Sequence, residues 1–112
     1  MPGVPTRVLI QDTPYPVGVG PVCAAANARQ IYKCDGLQAK AIIEPRRRAM
    51  IADRAAQNGI RVINATPWFC AKNKCPIVIG NILVYKDTNH MSVPYARALV
   101  PLIDKALFPT SG

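Results

Sequence analysis

The 112 residues hold one domain at most, and a hydrophobic content of 50% is enough to bury a core. No window reaches the length of a transmembrane span, and the start, "MPGVPTRVLIQDTP", lacks the basic opening and the uninterrupted apolar run of a signal peptide. The net charge of +8, from 14 Lys+Arg against 6 Asp+Glu, is spread along the chain with only Arg46 to Arg48 clustered, and aromatic content is 6%; this favours a solvated basic face over a nucleic-acid surface.

The first element is a short buried strand over Val8 to Ile10, stopped by Asp12-Thr13-Pro14. "YPVGVGPVC" reads as irregular, and "AAANARQIYK" as a short helix between the first two cysteines. "EPRRRAMIADRAAQNG" predicts a helix with Glu44 near its cap, Pro45 in its first turn and Asn58-Gly59 at its end. Ala49, Ala52, Ala55 and Ala56 lie close to one face, which suits close packing on a sheet. "IRVINATP" brings a second strand over Ile60 to Ile63. Strand, connecting helix and strand make a βαβ unit, so the two strands are expected to be parallel.

"WFCAKNKC" reads as a loop, and "PIVIGNILVY" as one strand or as two short ones bent at Gly80-Asn81. A polar turn follows, and then a helix over Tyr95 to Leu107, capped by Ser92 and Pro94 and bent at Pro101. Two parallel strands do not make a stable open sheet. The whole chain, residues 1–112, is therefore expected to be part of a larger α/β sheet, its C-terminal half.

The four cysteines fall as two local pairs, Cys23 with Cys34 and Cys70 with Cys75. Such pairs suit disulfides that staple loops, which implies an oxidising compartment. The rival reading is a metal site built from Cys70, Cys75 and His90, although the spacing is not that of a zinc finger and no fourth ligand is evident.

The turn "YKDTNHMS" sets Asp87 three residues before His90, the only histidine. A carboxylate at that spacing can reach the imidazole Nδ1 and fix the tautomer, leaving Nε2 to take a proton from a nucleophile. The bland alternative is a polar turn capping a helix. Trp68 and Phe69 read as core or pocket wall, Tyr85 as packed, and Arg97 as a partner for Asp87 or Asp104. Asp12, in a loop at a strand's C-terminal end, is a further candidate for the active-site face.

"TPWFC", "CPIVIGNILVYKD" and "DTNHMSVPYARALVPLIDKAL" together resemble the end of an SGNH-hydrolase domain. They are most similar to the SGNH domain fused to membrane acyltransferases of acyltransferase family three, which O-acylate cell-surface glycans. "IQDTPYP" and the Cys23–Cys34 loop share the likeness, which covers nearly the whole chain. The resemblance implies a three-layer, flavodoxin-like α/β/α domain on the extracytoplasmic face of the envelope, joined to a membrane acyltransferase domain. It implies Asp87 as triad acid and His90 as base, with no cofactor and no metal. The partners it implies are an acyl donor and a glycan acceptor, engaged with an upstream half of the domain.

The family's nucleophile lies in a Gly-Asp-Ser block that nothing here matches. Ser92 reads as a cap and Ser111 lies in a polar tail. Asn81 and Asn89 do not match the family's oxyanion asparagine. The chain alone is therefore expected to be inactive on esters. The alternative is a non-catalytic, disulfide-stapled extracytoplasmic domain that binds or supports a partner.

Overall fold

The computed structural model describes residues 7–16 and 18–109. Strand β1 (Val8–Ile10) pairs in parallel with β3 (Arg61–Ile63), with Val8 opposite Arg61 and Ile10 opposite Ile63. Backbone bonds from Arg61 N–H to the Arg7 carbonyl and from Gln11 N–H to the Ile63 carbonyl, each 2.9 Å, carry the ladder past both ends. Between these strands run helix α1 (Gly20–Ala26), a 3-10 turn (Ile31–Cys34), strand β2 (Gly36–Leu37), a single turn α2 (Gln38–Ala41) and helix α3 (Pro45–Gln57). The class is α/β, with the parallel pairing the sequence predicts.

Helix α3 starts at Pro45, whose missing N–H costs nothing in a first turn. Glu44 is its N-cap in a left-handed conformation (φ 49°) and makes no capping bond; its carboxylate pairs with Arg47 at 3.0 Å instead. Gly59, at φ +72°, carries the chain away from the helix end, where a Cβ would be strained. The expected alanine face is only partly used. Ala55 is buried and Ala52 half-buried, whereas Ala49 and Ala56 face solvent. A two-stranded sheet offers the helix too narrow a surface to cover all four.

Two arginines tie this unit together. The Arg48 guanidinium donates to the carbonyls of Ile43, Asp12 and Thr13, at 2.7, 2.7 and 3.0 Å, so it fastens the loop after β1 to α3. The expectation that the Arg46–Arg48 cluster is simply a solvated face fails at this residue. Arg61 donates to the carbonyls of Ala106 and Leu107, at 2.6 and 3.0 Å.

The second half is built of short antiparallel ladders. Strand β4 (Lys74–Cys75) pairs with β2, and β5 (Val78–Ile79) forms a hairpin with β6 (Ile82–Leu83). Gly80, at φ +61°, makes the hairpin turn, so "PIVIGNILVY" is two strands and not one. Helix α4 (Val93–Leu107) begins two residues earlier than the pattern suggests and continues through Pro101 as one element. Helix α1 also begins early, in the segment read as irregular, and carries Cys23 within it. Its Gly20 lies against the strand end, where a Cβ would sit 3.4 Å from the Tyr85 carbonyl oxygen.

The core gathers Phe69, Ile77, Val84, Tyr85, Tyr95 and Leu99. Both disulfides are present, Cys23–Cys34 and Cys70–Cys75. This overturns the metal alternative, because the sulfurs of Cys70 and Cys75 are bonded to each other. Exposed apolar side chains lie on several elements, including Ile10 of β1, Met50 of α3 and Val100 of α4. No described helix is long and apolar enough to cross a membrane.

Candidate active site

The turn between β6 and α4 is closed from both sides. Val84 N–H donates to the Ile77 carbonyl at 2.8 Å, and Ser92 N–H returns to the Val84 carbonyl at 2.7 Å. Lys86 N–H donates to the His90 carbonyl at 2.9 Å, and Tyr85 bridges to Met91. The six residues from Lys86 to Met91 thus project as a tight loop from a buried base made by Val84, Tyr85 and Ser92.

Within the loop Asp87 is the organiser. Its Oδ1 accepts the N–H groups of Asn89 (2.9 Å) and His90 (2.7 Å). The His90 Nδ1 lies 2.8 Å from Oδ2 and 3.0 Å from Oδ1. An ionised carboxylate can only accept, so Nδ1 carries a proton, and in the neutral imidazole Nε2 presents the lone pair. The Asn89 amide, then the amide and ring of His90, hold the Asp87 carboxyl below its ordinary value; partial desolvation opposes them. The His90 and Asp87 side chains are 63% and 42% exposed, so the pair lies at the surface and not in the core.

Nothing in the described chain reaches Nε2 as a nucleophile. The Ser92 Oγ donates to the Leu83 carbonyl at 2.5 Å and accepts from Tyr95 N–H at 3.2 Å, so it is a helix cap, as its position suggests. Every cysteine is in a disulfide. Ser111 lies outside the described residues. Asp12 does not join the pair: it accepts from its neighbour Thr13 N–H at 2.8 Å and lies 3.8 Å from Arg48. Arg97 makes no ion pair with Asp87 or Asp104 among the described residues.

The support beneath the loop is aromatic. Phe69 is buried with its ring centroid 6.2 Å from Tyr85 and 5.5 Å from Tyr95. The Tyr95 hydroxyl donates to the Trp68 carbonyl. The Tyr85 hydroxyl is buried and has no hydrogen-bond partner among the described residues, and burial pushes its pKa up to about 12. The alternation of Val84 and Tyr85 indicates packing, but nothing local in the sequence reveals the orphaned hydroxyl.

A family model described as "SGNH domain (fused to AT3 domains)" matches residues 4–105. Among curated proteins and among solved structures, nothing matches.

Proposed function

The chain belongs to the family of SGNH domains fused to AT3 domains, and on that premise we propose that it supplies the acid and base of an acyl-transfer site, Asp87 and His90. The observation that carries the proposal is the doubly held Asp87, which orients the imidazole from Nδ1 and leaves Nε2 free. A serine from an upstream Gly-Asp-Ser block completes the site. Its Oγ attacks the acyl carbonyl of the donor and passes its proton to His90 Nε2. The histidine returns that proton to the departing donor oxygen, leaving an acyl-serine ester. A sugar hydroxyl, or water, then gives its proton to Nε2 and attacks the acyl-serine carbonyl; the acyl–Oγ bond breaks and the imidazolium returns that proton to the departing serine Oγ. Asp87 stabilises the imidazolium formed in each half. On this reading the chain is a partial SGNH domain, works outside the cytoplasm beside a membrane acyltransferase domain, and is inactive alone on esters.

The test is ester turnover with and without the missing serine. Purified alone, the chain hydrolyses p-nitrophenyl acetate no faster than its His90→Ala variant. Joined to an upstream half bearing the Gly-Asp-Ser block, it gains turnover that His90→Ala lowers by roughly a thousand-fold or more. Robust, His90-dependent turnover by the chain alone would show that the nucleophile lies within it. Turnover of the joined protein that ignores His90 would leave the alternative, a disulfide-stapled binding or structural domain.

A further inference from the structure

The Cys70–Cys75 disulfide closes a hairpin whose tip is Lys72 and Asn73. Ala71 and Lys74 exchange both backbone bonds, at 2.9 and 3.0 Å, so the connection is a two-residue turn. Lys72 and Asn73 both have positive φ, 52° and 67°. That is the primed turn of a tight β-hairpin, which favours asparagine and glycine; asparagine fits, whereas lysine is held there against its preference. The tip is thus locked twice, by the disulfide and by the ladder, and its lysine is exposed.

Beside this hairpin lies an open groove of about 400 Å³. Trp68, Cys70, Pro76 and Ile79 are among the residues of its wall, and Lys72, Lys74 and Asp35 supply its charges. Neither lysine has an ion-pair partner among the described residues. We propose that this groove binds a carboxylated saccharide. The apolar C–H face of a sugar ring lies on the half-buried indole, and a ring carboxylate meets the two ammonium groups. The Asp35 carboxylate is left to accept from sugar hydroxyls.

Two observations favour a saccharide over an anionic bilayer. The surface is a groove, with Trp68 half-buried and its carbonyl held by Tyr95, whereas a membrane anchor projects its apolar groups. The most exposed apolar side chains, Met50 and Val22, lie on other elements. The groove also backs onto the candidate active site, because Phe69 lines it and stacks on Tyr85, two residues from Asp87. If the acyl-transfer reading holds, an acidic glycan is the acceptor class it implies, but the binding proposal does not use that reading.

Trp68 is the sole tryptophan, so its fluorescence reports on the groove alone. The chain is titrated with hexagalacturonate, with maltohexaose and with vesicles containing phosphatidylserine. The expected result is a saturable change with the acidic oligosaccharide and none with the neutral one. Binding weakens roughly tenfold in Lys72→Gln/Lys74→Gln, and it weakens in the unaltered chain when salt rises from about 0.05 to about 0.3 M. The salt series keeps the test decisive should the variant misfold. Equal response to both sugars, response to neither, insensitivity to salt, or response to vesicles alone overturns the proposal. None of these readouts involves ester turnover, so its failure and that of the acyl-transfer reading are separable.

Discussion

One oxygen of Asp87 holds the main chain of His90 while the other holds its ring. The Oδ1 accepts the backbone N–H at 2.7 Å and the Oδ2 lies 2.8 Å from Nδ1. A single carboxylate therefore sets both the conformation of the loop and the orientation of the imidazole, and the two cannot be separated by substitution at residue 87.

That coupling predicts an acid transition. The folded pKa of Asp87 is depressed, chiefly by the Asn89 amide. A depressed carboxyl contributes its stabilisation above its unfolded value of about 3.9, and loses it as pH falls through the lower folded value. Carboxyl NMR should place the Asp87 midpoint below the usual carboxylate range. The Asn89 and His90 amide signals should move with the same midpoint. Amides that stay fixed while the carboxyl titrates would contradict the described hydrogen bonds.

At the other end of the pH scale the informative group is Tyr85. Its folded pKa is raised to about 12 by burial, against about 10 in the unfolded chain. A raised value means the stabilisation is complete below the unfolded pKa and is lost as pH rises through the folded one. Unfolding should therefore steepen between about pH 10 and about pH 12, in step with the phenolate absorbance. Because the hydroxyl is buried without a partner among the described residues, Tyr85→Phe should be neutral or stabilise by about 1 kcal/mol in denaturant titration. A clear loss would show that the hydroxyl has found a partner.

Ser92 joins two elements through one oxygen, capping α4 and donating to the Leu83 carbonyl at the end of β6. Ser92→Ala should cost about 1–2 kcal/mol, from the lost cap and from the carbonyl left without its donor. Ser92→Thr keeps the hydroxyl and should recover most of that. Equal losses in the two variants would point to packing and not to the cap.

Arg61 fastens the last carbonyls of α4 to the parallel sheet. Arg61→Met keeps the aliphatic stem and removes the charged donors, so it should cost about 1.5–3 kcal/mol, a typical value for a hydrogen bond to a charged group. Amide exchange should rise in the last turn of α4 before it rises in β3. Uniform acceleration across both would mean that the arginine serves the whole fold and not that one junction.

Much of this architecture is legible in local chemistry. Pro45 and Asn58-Gly59 mark the two ends of α3, and Asp12-Thr13-Pro14 marks the end of β1. The Ser92 cap and the Asp87–His90 contact are between residues three apart, so spacing makes both contacts possible, although Asp-x-x-His spacing by itself does not separate a catalytic pair from a polar turn. The cysteine pairing is local for the same reason. What escapes is what depends on distant neighbours. Gly20 opens a helix and packs against Tyr85, 65 residues on in the chain, and nothing beside it in "PVGVGPVC" says so. Arg48 and Arg61 look like surface charge until their carbonyl partners, 35 to 46 residues away, are known. The alanine face of α3 is misjudged because helix periodicity reports which residues could be covered, not how wide a sheet is there to cover them.

The pairing of Val8 with Arg61 has a consequence for how the chain is made. The partner of β1 is encoded 53 residues later, so β1 emerges from the ribosome long before β3 exists. At about 5–20 residues per second that interval is roughly 3–10 s. Over that time Val8, Leu9 and Ile10 lack the ladder to β3, and a three-residue apolar segment with an unpaired edge is a template for any other edge it meets. Closing so long a loop also makes this the slowest contact to form, after the helices and the β5–β6 hairpin, whose partners are close at hand.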